Sequence, residues 1–411
     1  MEKYATAKQS HSLSKNQKWT IASTSTGFGL ESMDILFVSF TLSSMIKDLH
    51  ISSAAGGMIS SITYLGMLLG GILFGLLADR YGRVKTFSYT IFIFAIATGA
   101  MYFANSITSI YFFRFLAGIG AGGEYGTGMT LIAENFRANQ IGKISSISSI
   151  GGQGGAIIAA ILASFIIPMF GWHALFLVGL IPVALAYFVR SHMHESKAFV
   201  DETKHVGKPK VSITELFKTP ALAWQTIALI IMITVQTGGY YGLMNWLPSI
   251  MQKQLNLSVS GSSTWMISTI IGMSLGMMTF GTILDYFGPR KAFGIFLIAA
   301  AISLFSLMYA FNAWSLLLFA AVVGFFSNGM YGGYGAIMSQ LYPTEIRATA
   351  NNTIMNTGRV IGGFSPVLIG FMMDHYSFGV IMAGLSVAYI ISFFTMMSIP
   401  ALRRLSHNTA K

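Results

Sequence analysis

Gly75-Leu-Leu-Ala-Asp79-Arg80-Tyr81-Gly82-Arg83-Val-Lys85 returns later in the chain as Gly281-Thr-Ile-Leu-Asp285-Tyr-Phe-Gly288-Pro-Arg290-Lys291, with Asp79 and Asp285 offset by 206 residues. A second echo, Glu134-Asn-Phe-Arg137-Ala against Glu345-Ile-Arg347-Ala, has its arginines offset by 210. Two echoes at nearly one offset predict a duplicated unit. Both copies of each motif punctuate long apolar runs, so what is duplicated is a set of membrane spans.

Composition agrees. Apolar residues make up 54% of the chain and charged residues 9%, with a mean hydropathy of +0.64, whereas a soluble domain carries about 25% charged residues. A helix needs about 20 mostly apolar residues to cross the bilayer core. Twelve such stretches occur, near 19–45, 57–78, 86–104, 109–133, 143–168, 173–190, 222–250, 262–283, 292–311, 314–341, 350–373 and 378–400. The expectation is an all-α membrane protein of twelve transmembrane helices in two six-helix, pseudo-symmetric bundles. Its divisions are a tail (1–18), a first bundle (19–190), a polar linker (191–220), a second bundle (221–400) and a tail (401–411).

Lysine and arginine orient the chain, because they resist translocation. With both termini cytoplasmic, 21 of the 25 fall on the inner side, Lys47 and Lys253 fall outside, and Arg114 and Arg359 lie within spans. The net charge of +11 is then the cytoplasmic rim of a multi-pass protein of the cell membrane, and nucleic acid is not an expected partner. The absence of cysteine excludes disulfides and thiol chemistry. No cleavable leader, Walker lysine loop, zinc-ligand spacing or nucleophile elbow is visible, which argues against an enzyme or a primary pump and for no cofactor.

In the repeated loop, glycine permits close approach at a helix end, Asp79 is placed to cap or pair across the ends of the spans, and the arginines anchor the turn in the headgroup region. The loop reads as a gate comprising Asp79, Arg80, Arg83, Asp285 and Arg290. With it, the chain resembles the major facilitator superfamily over essentially its whole length. Glu31-Ser-Met-Asp34, Arg114-Phe-Leu-Ala-Gly-Ile-Gly-Ala-Gly-Gly-Glu124-Tyr-Gly and Trp172-His-Ala-Leu-Phe resemble the aromatic-acid:proton and sialic-acid:proton symporters within it. Leu341-Tyr-Pro-Thr-Glu-Ile-Arg347 and Gly358-Arg359-Val also resemble the eukaryotic organic-ion carriers.

Charge inside a bilayer is costly and marks function by default. The intramembrane set is Glu31, Asp34, Arg114, Glu124 and Arg359. Counting about 1.5 Å per residue, Asp34 and Arg114 both lie about 8 Å below the outer face, so they are expected to pair. In the symporters the chain resembles, the matching pair is tied to proton coupling; a permanent structural pair is the competing reading. Glu31 shares a helix face with Asp34, and Glu124 lies deeper in the fourth span; either is placed to relay a proton, while Glu124 has a purely structural alternative. All eight histidines fall at termini, loops or helix ends, leaving proton work to carboxylates.

Arg359 lies about 15 Å into its span, at the midplane, and offers a planar donor fork suited to a carboxylate. The resemblance implies an arginine lining an anion site; a salt bridge to Glu31 is the competing reading. Gln236, Tyr241, Asn245, Tyr331 and Tyr334 add an amide and aromatic wall suited to a small organic acid. Glycine pairs at four-residue spacing, such as Gly118 with Gly122 and Gly151 with Gly155, predict close helix crossings.

The expected function is therefore proton-coupled uptake of a small organic anion, an aromatic acid, nicotinate-like acid or sugar acid, by a monomer using alternating access. The alternatives are a drug or metabolite:proton antiporter, an uncoupled organic-ion facilitator, and a non-transporting sensor. The Gly151-Gly152-Gln153-Gly154-Gly155 cluster lacks the Gly-Pro pairing of the superfamily's antiporters, which ranks export below import.

Overall fold

A computed structural model describes residues 13–196, 199–200, 212–255, 259–365, 368–369, 372 and 375–408, with side chains left undescribed across 242–267. Within those residues the chain is helical. The first half comprises α1 (Lys15–Asp48), α2 (Ser53–Tyr81), α3 (Arg83–Ala100), α4 (Ile107–Gly122), α5 (Glu124–Asn135), α6 (Ile141–Leu177) and α7 (Ile181–His192). The second comprises α8 (Pro220–Leu255), α9 (Val259–Phe287), α10 (Pro289–Ser303), α11 (Ala313–Gly329), α12 (Tyr331–Leu341), α13 (Arg347–Gly362), α14 (Phe378–Met397) and the short α15 (Pro400–Asn408).

The repeated motif folds alike in both copies. Gly82 at φ 113° and Gly288 at φ 78° form the turns between α2 and α3 and between α9 and α10. Only glycine takes such a backbone at no steric cost, which explains why both copies carry one there.

Eight described stretches are long and apolar enough to cross a membrane. One of them, Ile141–Val189, contains the fifth and sixth expected spans, so the stretches account for nine of the twelve. The other three are the first, fourth and eleventh: α1, the α4–α5 pair and α13. Those three carry all five intramembrane charges, and each of the five is buried rather than turned to lipid. Leu65, Leu69 and Leu73 show the converse, exposing an apolar stripe at four-residue spacing along α2, as a lipid-facing side requires.

The fourth and tenth spans are each broken. Gly123 separates α4 from α5, and Met330 separates α11 from α12. Glycine-rich sequence weakens both helices at the break. In the fourth span, the second half satisfies the loosened backbone: Asn356 Nδ2 donates to the Gly122 carbonyl at 2.7 Å, and Gly126 N donates to Asn352 Oδ1 at 2.8 Å.

Expected glycine crossings are present. A side chain at Gly118 or Gly122 would strike the α2 backbone, and one at Gly155 would strike Gly29 of α1. Across the halves, α2 packs on α13 and α9 packs on α6, as a pseudo-two-fold demands.

Candidate functional site

Arg359, on α13, lies where the two halves meet. Its Nη1 pairs with Glu31 Oε1 of α1 at 2.9 Å, and its Nη2 donates to the Tyr331 hydroxyl of α12. The guanidinium also sits 5.2 Å from the Tyr125 ring centre and 5.8 Å from that of Tyr331, within cation–π range. Tyr125 and Tyr331 lie 5.5 Å apart, and Tyr241, 5.8 Å from Tyr64, continues the aromatic wall. The cation expected to await an anion already holds one, the Glu31 partner that sequence spacing gave the lesser weight.

One turn along α1, Asp34 accepts from Arg114 Nη1 at 2.9 Å and from the Thr98 hydroxyl at 2.7 Å. Arg114 Nε donates to Thr63 Oγ1 at 3.3 Å. The depth match of Asp34 and Arg114 thus corresponds to a direct contact. Every partner of this pair belongs to the first half, and both side chains are buried.

Glu124 is fully buried at the first position of α5, and neither carboxylate oxygen has a hydrogen-bond partner among the described residues. Its Oε1 occupies the space that a side chain at Gly27 of α1 would need. Glu31, Arg359 and Asp34 are the charges acting on it.

At the end of the bundle that carries the termini, the repeated aspartates perform the same task in opposite directions. Neither α13 nor α6 has a side-chain cap of its own. Asp79 of the first half accepts from Ala348 N (3.1 Å), Thr349 N (2.7 Å) and Thr349 Oγ1 (2.8 Å) at the start of α13. Asp285 of the second half accepts from Gly142 N and Lys143 N, each at 2.8 Å, at the start of α6. Each anion meets a helix N-terminus, where unpaired N–H groups and the helix dipole favour negative charge. Arg83 adds a bond from Nη2 to the Thr344 carbonyl (2.6 Å) and ion pairs with Asp79 (3.2 Å) and Glu134 (3.1 Å). Glu134 also faces Arg347 across the seam at 3.6 Å. The two halves are locked together at this end.

Other expected residues lie apart. Arg80 is exposed over the Tyr81 ring, and Arg290 Nη2 donates to the Met397 carbonyl of its own half. Gln236 bonds Asn328 at 2.5 Å in the interior of the second half. Tyr334 packs against Phe293 and donates to the Met232 carbonyl, placing it in that half's core rather than beside Arg359. Asn245 falls among the undescribed side chains. Sequence reasoning missed Tyr125, Tyr64 and the Asn352–Asn356 pair. The recurrence of Asn352, Asn356 and Arg359 on one face of α13 was the signal available.

The Major Facilitator Superfamily model matches residues 24–278 and 231–411, and the chain belongs to that family of multi-pass membrane transporters rather than to an enzyme family. It is 39% identical over 385 residues, 92% of its length and 94% of the other's, to a Haemophilus influenzae protein whose name assigns it metabolite transport without a cargo. Two Acinetobacter baylyi proteins are each 29% identical to it. The cis,cis-muconate transport protein aligns over 88% of this chain and 89% of its own length, and the niacin transporter over 84% and 85%. Among solved structures, a proton:xylose symporter bound to 6-bromo-6-deoxy-D-glucose superposes with a TM-score of 0.76 at 17% identity, covering 94% of this chain and 96% of that one. It shares the fold, and the twelve-span architecture stands.

Proposed function

We propose that this transporter carries a small organic anion, a carboxylate with a ring or conjugated chain, together with protons. The observation that carries the reading is Arg359, an obligate cation set between the rings of Tyr125 and Tyr331, with Tyr241 close by, at the meeting of the two halves. A guanidinium supplies paired donors to a carboxylate, and tyrosine faces suit a flat apolar body. Niacin and cis,cis-muconate, the cargoes named for two relatives, are both unsaturated carboxylic acids, which supports this substrate class.

Glu31 and Glu124 are the carboxyls placed to carry protons, and the Asp34–Arg114 pair, bonded also to Thr98 and Thr63, is a support for α1 against α2, α3 and α4. The cycle we assign is alternating access, in which the locks at Asp79 and Asp285 close one end and their release opens the site to that side. With the lysine and arginine excess on the terminus-bearing side, we place that end in the cytoplasm of a bacterial inner-membrane protein and assign the monomer as the transporting unit.

Purified protein in liposomes tests this. Under an inward proton gradient it should accumulate radiolabelled nicotinate, benzoate or muconate, and Arg359→Ala should abolish that accumulation. Equal carboxylate uptake by wild type and Arg359→Ala would remove the basis for the anion site.

A further inference from the structure

Arg359 is already engaged, and what engages it is a carboxylate. Glu31 gives Nη1 the contact that a substrate carboxylate would give, while Tyr331 takes Nη2. Resting on the anion-symport reading above, we propose that Glu31 stands in the substrate's place on Arg359. A monocarboxylate is then admitted only as Glu31 takes up a proton, so monoanion transport is electroneutral, with one proton per anion.

Charge balance leads there. The spans hold three acids, Glu31, Asp34 and Glu124, against two bases, Arg114 and Arg359. Asp34 is committed to Arg114 and Glu31 to Arg359, and an unpaired buried charge costs several kcal/mol. A neutral interior therefore holds one resident proton, and Glu124 is the carboxyl with no arginine to surrender. An arriving carboxylate adds one more negative charge at Arg359. The cluster regains neutrality when the displaced Glu31 binds one proton from solution: an O–H bond forms on Glu31, the substrate enters as its anion, and no other bond changes.

No other group is placed to take that proton. Facing Glu31 are Asp34 on its own helix, Glu124 and Tyr125 on α5, Tyr331 on α12, Arg359 on α13 and Tyr241 on α8, with Tyr64 on α2 beyond Arg359. Asp34 is held by two donors, Glu124 is the carboxyl to which charge balance assigns the resident proton, and the tyrosine hydroxyls hold their own protons at any working pH. The sign follows: anion affinity is full where Glu31 is readily protonated and falls as pH rises.

Two measurements on the reconstituted full chain decide it. In the first, benzoate and nicotinate serve as monoanions and cis,cis-muconate as a dianion, with valinomycin and potassium setting the membrane potential. Monoanion uptake should respond to the pH gradient and ignore the potential, while muconate with the same single proton should be speeded by an inside-positive potential. Benzoate or nicotinate uptake that follows the potential would overturn the proposal, and this arm needs no variant. In the second, the benzoate Kd should rise about tenfold per pH unit on the alkaline limb in wild type and stay flat in Glu31→Gln. A slope that persists in a folded Glu31→Gln would overturn it as well. Failure of the wild type to bind or transport any of the three carboxylates is a separate outcome, and it overturns the anion-symport reading on which the proposal stands.

Discussion

Two arginine–carboxylate pairs lie one helical turn apart on α1, at the same 2.9 Å separation and both buried, yet they differ in what moves when they break. Asp34–Arg114 is closed within the first half, with Thr98 donating to Asp34 and Thr63 accepting from Arg114. Glu31–Arg359 joins the first half to the second, and its surroundings are tyrosine faces rather than fixed donors. A pair inside one rigid bundle survives any rocking of the halves. A pair across the seam is strained, broken or exchanged whenever the halves move, so in the proposed cycle it is the second that ties occupancy of the site to conformation.

Variants can break this comparison, beginning with the strongest. Arg359→Ala leaves Glu31 without its cation and removes the anion's donor fork. Carboxylate affinity should fall by about a hundredfold or more, equivalent to about 3 kcal/mol, as read by calorimetric titration. Asp34→Asn leaves Arg114 buried and unpaired; thermal unfolding should show a loss of about 3 kcal/mol while the benzoate Kd stays within about threefold of wild type. If Asp34→Asn weakened binding as much as Arg359→Ala, the division between a supporting and a working pair would fail.

The two aspartate locks sharpen the same contrast at the other end of the seam. Asp79 is wholly buried and accepts three bonds across it, whereas Asp285 is partly exposed and accepts two. Asp79→Asn should release about 1 kcal/mol of capping, shifting the closed-to-open population about fivefold, and Asp285→Asn should shift it less. The chain has no cysteine, so Lys85→Cys with Lys291→Cys places spin labels at equivalent, exposed positions of the two repeats, and their distance distribution reports the opening.

Much of this was legible in the sequence. The offset of Asp79 and Asp285 announced the duplication, and the structure renders it as reciprocal caps on helices that have none of their own. The depth count found Asp34 opposite Arg114, because both lie in one bundle with a shared reference, the membrane face. Partner choice across the seam was legible only as an alternative: the sequence offered Arg359 either a substrate anion or Glu31 and could not decide between them. Helix periodicity fixes which residues share a face, but the packing of α13 on the broken fourth span is set by glycines and asparagines whose contacts depend on the register between halves. That register brought Glu31 to Arg359 and left Tyr334 in the core, although Tyr331 and Tyr334 lie only three residues apart in sequence. The break at Gly123, which frees the Gly122 carbonyl for Asn356, was equally hidden inside what reads as one continuous glycine-rich span.

The central claim is that the substrate exchanges places with Glu31 and that Glu31 takes a proton as it leaves. Titration calorimetry of benzoate binding in buffers of differing ionisation enthalpy counts that proton directly. About one proton taken up per anion bound in wild type, and none in Glu31→Gln, is the result expected from single-site linkage. Binding without proton uptake in wild type, or undiminished uptake in Glu31→Gln, would contradict it.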